Sequence, residues 1–310
     1  MMKIYTQIED IPILKNACIT IGSFDGVHKG HLKVIQQLLE ESKKNEGTSI
    51  VITFYPHPKS VLSQNNQSIT PLNTLEEKTY LLEKSGIDVL VIITFTKEFS
   101  EMNAEQYISD FLVKYFQPKS IVIGYDHKFG KNRTGNFDLL KKYSILYNFK
   151  LHEISEHLLN EIKVSSTIIR EKIATGQIEI ANELLGYTFN FSGKVIKGNQ
   201  LGRTIGFPTA NIQVNDTEKI IPGNGVYAVL INKSNDSKTY KGMMNIGLRP
   251  TIDGKKLGVE VHIFDFSENI YDQEIQISVF NKIREEIKFN NLDELKIQLH
   301  RDMETVLSLL

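Results

Sequence analysis

The hydrophobic pattern of this 310-residue chain changes once, at Gly186-Tyr187, and that change restricts the fold to two units of different class. Before it, apolar strand segments near 17–21, 49–54, 88–95, 120–124 and 149–154 alternate with helical segments near 30–44, 75–84, 104–115 and 136–146. Such alternation yields a parallel sheet covered by helices. Thr74 and Glu77 form a capping box that opens the second helix, and Gly86 stops it. Two further helices, near 166–174 and 177–185, lead to the change. Short strands follow at 189–196, 225–232, 239–246, 258–265 and 274–281, with Gly, Asn and Pro turns that suit a closed antiparallel barrel. Leu292, Leu295, Leu299, Met303 and Val306 then recur at three- and four-residue spacing. That stripe is core packing of a last helix, near 292–309, rather than a cofactor box. The expected domains are therefore 1–186 and 187–310. Strand order lies beyond the sequence.

Length and composition agree, since about 150 residues per domain gives two domains and 41% apolar residues supply two cores. No apolar run approaches the ~20 residues of a membrane span, and Met1–Gln7 lacks a signal peptide's apolar core. The single cysteine, Cys18, excludes an internal disulfide and fits a reducing, cytoplasmic setting. A formal net charge of −1 argues against a nucleic-acid partner. Lys43-Lys44 and Lys141-Lys142 look like solvated helix faces. No obligate protein partner is evident.

Residues 22–31, Gly-Ser-Phe-Asp-Gly-Val-His-Lys-Gly-His, place His28 and His31 in the first turn of a helix that follows an apolar strand. Unpaired backbone N–H groups and the helix dipole favour anions there, and Gly22, Gly26 and Gly30 let a ligand approach the backbone. Three readings compete: histidines that merely decorate a helix start, a metal site, and a polyphosphate site. With no cysteine beside the pair a closed zinc site does not fit, and the polyphosphate reading suits the glycines and the strand-turn-helix context best. Thr53–Pro58 (Thr-Phe-Tyr-Pro-His-Pro) and Gly124–Gly130 (Gly-Tyr-Asp-His-Lys-Phe-Gly) also follow strands. All three segments fall at strand carboxyl ends, where open α/β sheets bind ligands. In Val164–Arg170, hydroxyls at a helix start can cap the helix or reach a phosphate, and Arg170 can pair with an oxyanion.

The second half carries Gly193-Lys194-Val195, Gly198, and Gly202–Asn211 (Gly-Arg-Thr-Ile-Gly-Phe-Pro-Thr-Ala-Asn). A threonine hydroxyl and an amide oxygen are hard ligands of the kind that share Mg²⁺ with nucleotide phosphates, although a glycine-rich hairpin alone would look similar. In Val259–Phe266, alternation sets Glu260 and His262 on the face opposite Val259, Val261 and Ile263. A lone glutamate on such a face is by default solvated.

In this order, FDGVHKGH, TFYPHP, GYDHKFG, SSTIIR, GRTIGFPTAN and VEVHIFDF, the chain resembles the prokaryotic bifunctional riboflavin kinase/FAD synthetase family over nearly its whole length. The resemblance implies an N-terminal Rossmann-like nucleotidyltransferase domain and a small six-stranded kinase barrel. It implies phosphorylation of riboflavin to FMN, then adenylylation of FMN to FAD with release of pyrophosphate, with ATP as co-substrate and Mg²⁺ as cofactor. Catalytic roles are implied for His28, His31, Arg170 and Glu260, the last as base. ATP contacts are implied for Gly22, Phe24, Asp25, Gly30, Ser166, Thr167, Gly193, Lys194, Gly198, Gly206 and Pro208. Flavin contacts are implied for Phe54, His57, Pro58, Asp126 and Arg284, and Mg²⁺ ligation for Thr209 and Asn211. Three residues depart from the family pattern. His127 stands where Phe is usual, which bears on flavin stacking. Ile168 replaces a frequently basic residue. Asp272 stands where glycine is frequent, so a turn is expected to change. The alternatives are a chain that kept only the adenylyltransferase, and a non-catalytic flavin- or nucleotide-binding regulator.

Overall fold

The computed structural model describes residues 1–63, 69–154, 164–198, 201–216, 218–234, 236, 238–251 and 254–310. The first half is a six-stranded parallel sheet of β1 (Lys3–Tyr5), β2 (Cys18–Ile21), β3 (Ser49–Tyr55), β4 (Val89–Thr94), β5 (Ser120–Gly124) and β6 (Lys150–Ile154), in the order β1-β4-β3-β2-β5-β6. Central strands buried on both faces read as continuous apolar runs, and all of β2 is buried. Alternate residues serve opposite layers. Ile19, Ile50, Val89 and Ile121 pack with Ile108 and Phe111 on one face, and Cys18, Val51, Leu90 and Val122 pack with Ile35, Leu38 and Leu82 on the other. Helices α1 (Lys29–Lys44), α2 (Pro58–Leu62), α3 (Leu75–Lys84) and α4 (Phe137–Tyr147) are joined by a run of short helical segments between Lys97 and Phe116. The Thr74–Glu77 capping box forms as expected, and Gly86 takes φ +87° just past the helix end.

Strand order reverses between β2 and β5, which pair in parallel. The loops after these two strands therefore flank the crevice in which open α/β sheets hold ligands. Sequence reading missed β1, which is only three residues at the sheet edge, and the single turn of α2, which Pro58 starts at its N1 position. The helical segment near 104–115 includes a π-helical stretch, Tyr107–Val113, that periodicity could not signal.

The second half is a closed barrel of β7 (Asn190–Ile196), β8 (Ala210–Val214), β9 (Gly225–Lys233), β10 (Thr239–Thr251), β11 (Gly254–Ile263) and β12 (Glu274–Arg284), ordered β10-β11-β8-β7-β12-β9. The unread strand is β8, which starts at the Ala210-Asn211 end of the glycine-rich segment. α5 (Ser166–Ala174) and α6 (Ile178–Leu185) precede the barrel, a short helix spans Leu201–Thr204, and α7 (Leu292–Leu309) ends the chain. Leu299, Met303 and Val306 of α7 pack with Phe207, Val226, Ala228 and Met243, as the stripe required, but Leu292 in the first turn is 50% exposed, so the packed stripe covers only the later turns of the helix. Asp272 adopts φ +63°, a conformation that favours glycine, and donates its backbone N–H to Val195 O at 2.9 Å.

Contacts divide the chain into compact units Met1–Ser166 and Thr167–Leu310, which groups α6 and most of α5 with the barrel. Asn182 on α6 donates to Val279 O at 2.9 Å and accepts from Phe189 N at 2.7 Å. Gly223 N donates to Ile173 O at 3.0 Å.

Candidate active sites

The loop from β2 to α1 is held in an uncommon backbone path. Phe24, Gly26 and Val27 have φ of +46°, +85° and +35°, and at β-branched Val27 that is a strained conformation. Ser23 O anchors the loop by accepting from Thr53 Oγ1 at 3.1 Å and from Lys78 Nζ at 2.8 Å. Buried Asp25 accepts from Leu72 N through Oδ1 at 2.9 Å, and its carbonyl accepts from Ser166 Oγ at 2.9 Å. Burial holds the Lys78 ammonium below its ordinary pKa, while the Asp25 carboxylate opposes that shift.

His28 is the N-cap of α1, and its Nδ1 accepts from His31 N at 3.3 Å. An accepting Nδ1 puts the proton of the neutral ring on Nε2, which becomes a donor. The rings of His28 and His31 stack at 3.7 Å and 15°, with Phe24 5.1 Å from His31. Burial pushes the His31 imidazole well below the usual histidine range, and repulsion from His28 and Lys78 adds to it. His31 Nδ1 is buried with no hydrogen-bond partner among the described residues, and such an atom is one a ligand can complete. At Gly30 a Cβ would stand 3.0 Å from Val164 Cγ1 and 3.2 Å from the His28 ring, so a side chain there would press on that ring. Two imidazoles, a helix N-terminus and nearby Lys78 together suit a polyphosphate. Lys78 was missed because a helical lysine reads as a solvated face.

The other sequence candidates of this half are more dispersed. Phe54 is buried in an aromatic cluster with Phe95 and Phe99, at 5.6 and 5.8 Å. His57 caps α2 through Nδ1, which accepts from Lys59 N at 3.2 Å, and Pro58 opens that helix. Asp126 is exposed after β5. Beside it His127 stacks on Phe129 at 5.8 Å and 29°, and burial pushes its imidazole down to about 4. Ser166 meets Asp25, whereas Thr167 and Arg170 continue the same helix, α5, into the part of the chain that groups with the barrel.

In the barrel, β11 sets Glu260 opposite Asn211 of β8 and Asn245 of β10. Val259, Val261 and Ile263 are buried and Glu260 and His262 are half-buried, the alternation expected from the sequence. A Cβ at Gly198 would collide with the Asn211 amide, and one at Gly193 with Ile212, so both glycines permit close approach of β7 and β8. Gly206 takes φ +86° in the turn before Phe207-Pro208, and Thr209 leads directly into β8. His262 Nδ1 lies 2.7 Å from Pro208 O.

Lys194 and Arg284 both have protein partners that sequence reading did not supply. Lys194 Nζ pairs with Asp272 at 2.9 Å on the surface, and this holds the carboxyl below its ordinary pKa. Arg284 donates to buried Asp302 on α7 from Nε at 3.0 Å and Nη2 at 2.7 Å, a bidentate pair that ties β12 to the last helix.

A family model described as FAD synthetase matches residues 10–168, and one described as riboflavin kinase matches residues 185–310. The chain is 40% identical over 310 residues to the bifunctional riboflavin kinase/FMN adenylyltransferase of Buchnera aphidicola subsp. Schizaphis graminum, covering 98% of each. It is 38% identical over 284 residues to the protein of that name from Escherichia coli K12, covering 92% of this chain and 90% of the relative. A crystal structure from Streptococcus pneumoniae, described as a macrolide-efflux protein, superposes with a TM-score of 0.87 at 29% identity and covers 98% of both chains. That likeness extends over both halves, and none of the helices among the described residues is long and apolar enough to cross a membrane. With a stacked histidine pair at the switch point of one unit, a carboxylate opposite an asparagine on the barrel of the other, and both matches in the same order, the chain belongs to the bifunctional riboflavin kinase/FMN adenylyltransferase family.

Proposed function

We propose that the chain makes FAD from riboflavin in two ATP-dependent steps, the first on the barrel and the second on the α/β unit. In the first, Glu260 takes the proton of riboflavin's 5′-hydroxyl as its oxygen attacks the γ-phosphorus of ATP, and ADP leaves. Gly193, Lys194, Gly198, Gly206 and Pro208 cradle that ATP, and Arg284 borders the flavin. Thr209 Oγ1 and Asn211 Oδ1 are hard oxygen donors that fit Mg²⁺, and the absence of a side chain at Gly198 gives the Asn211 amide room. When bound there, Mg²⁺ supplies charge neutralisation at the ATP phosphates. Asn211 faces Glu260 across the β8–β11 ladder, so one register fixes both phosphate-side and base-side groups.

In the second step the FMN phosphate attacks the α-phosphorus of another ATP and pyrophosphate leaves. His28, His31 and Arg170 offset charge on the phosphates, and Gly22, Phe24, Asp25, Gly30, Ser166 and Thr167 shape the nucleotide site. Phe54, His57, Pro58 and Asp126 form the flavin side. Positioning and preorganised charge supply the catalysis, so no covalent protein intermediate is needed. The work is that of a cytoplasmic enzyme without nucleic-acid, membrane or obligate protein partner.

The observation that carries this reading is the stacked His28–His31 pair at the first turn of α1, a site suited to a polyphosphate, in a chain that also sets Glu260 opposite Asn211. Incubating pure protein with riboflavin, ATP and Mg²⁺ and separating the flavins by chromatography tests it. FMN followed by FAD is the expected outcome. FAD from supplied FMN alone would leave only the adenylyltransferase, and no conversion of either flavin would point to a binding protein.

A further inference from the structure

The β8–β11 ladder ends abruptly beside the proposed kinase site. Its pairs are Glu260 with Asn211 and Val261 with Ala210, and pairing stops before Thr209 and Pro208. Proline has no N–H to continue a ladder, so the chain leaves the sheet at the segment that carries Thr209. Pro208 O would lose its strand partner there. His262, two residues beyond Glu260 on the same face of β11, places Nδ1 2.7 Å from that oxygen. A carbonyl only accepts, so Nδ1 carries the proton and donates. The ring is also wedged in place, with Phe207 at 5.2 Å and Phe264 at 5.6 Å, and Phe207 packs in turn on His300 of α7 at 4.9 Å.

We infer that His262 is a positioning residue for the kinase step: its imidazole N–H replaces the missing ladder bond and locks Pro208-Thr209 in register with Glu260. The same strand then sets the base directly and the nucleotide-side hydroxyl through a side chain. This inference rests on the kinase reading of the barrel, but the anchoring itself can be measured without turnover. Loss of the donor frees the segment before β8 and weakens MgATP binding more than it slows the chemical step.

The test compares wild type with His262→Phe, which keeps a ring against Phe207 and Phe264 but has no donor, and His262→Asn, whose amide N–H can replace Nδ1. Hydrogen exchange followed by mass spectrometry on the full chain reads the amides of 207–211. His262→Phe is expected to speed exchange there and to raise the KM for MgATP in FMN formation on the order of 3- to 10-fold, the scale of one hydrogen bond's net contribution, with a smaller change in kcat. His262→Asn is expected to restore both toward wild type. FAD formation from supplied FMN should be unchanged in each variant. Unchanged exchange in His262→Phe, or equal impairment in both variants, would overturn the role of the hydrogen bond. Altered exchange in a wild-type background that never phosphorylates riboflavin would uphold the anchor and overturn the kinase reading.

Discussion

At the scale of single residues, burial decides which charges the candidate sites can carry. His31 is held neutral in the free protein, so its contribution to a bound polyphosphate is a hydrogen bond, strengthened as phosphate charge draws a proton to the pair. Replacing His28 or His31 by alanine should cut FAD formation about 10²–10³-fold, the scale for losing one preorganised donor, while riboflavin-to-FMN conversion stays near wild type. Normal FAD rates in either variant would remove the phosphate role. Glu260→Gln keeps size and loses the base, so FMN formation should fall roughly 10²–10⁴-fold while supplied FMN still becomes FAD. His127 makes a different prediction, about stability. Its imidazole titrates near 6.5 when unfolded and at about 4 when folded, so between those values only the unfolded chain binds the proton. Acidification through that window destabilises the fold, by at most about 2.5 kcal/mol at pH 4.5, and full stability returns above the unfolded value. His127→Phe should flatten the fall in thermal midpoint between pH 7 and 4.5. An identical slope would show that the ring is not the source.

At the scale of elements, most of the helices start where a side chain satisfies orphan N–H groups, and such caps are written locally. Thr74, Asn136 and Asn291 accept from the third helical N–H of α3, α4 and α7, as His28 does in α1. How α7 docks is not local. Asp302, 1% exposed, accepts from Arg284 and from Gln298 at 2.8 Å. Asp302→Ala strands the guanidinium beside an apolar helix face, and the barrel should lose about 3 kcal/mol in chemical denaturation, the penalty for breaking a buried pair from one side. A loss under about 1 kcal/mol would show that water reaches Arg284 freely. Because Arg284 also borders the proposed flavin site, the flavin affinity of this variant reports whether the two roles are joined.

At the scale of the whole molecule, two cores share one chain and their motif sets do not interleave. The pattern change at Gly186 and the compact division at Ser166/Thr167 place the boundary differently, and α5 and α6 lie between them. A fragment 167–310 retains the Asn182 bonds to Phe189 and Val279, which a fragment 187–310 loses. Both fragments are large enough to fold without staples. We expect 187–310 to phosphorylate riboflavin but to melt at lower temperature than 167–310. A folded 167–310, verified by circular dichroism, that makes no FMN at saturating riboflavin and MgATP would sink the idea of a self-contained kinase.

Elements and chemistry-bearing positions are legible in the chain wherever their cause is local. Apolar period specified most of the strands and helices, and the glycines and histidines of 22–31 marked the anion site because backbone freedom and helix polarity depend on neighbours in the chain. Features that depend on residues far apart in the chain came from packing. It ordered the strands so that the crevice opens between β2 and β5, and it closed the barrel with β8, whose five residues carry too short a pattern to be read. It also buried Lys78 under Ser23 and set His262 against Pro208, contacts across 55 and 54 positions of chain. Periodicity reports which face of an element is apolar. Only packing reports which polar group on that face finds a partner, since the partner comes from another element.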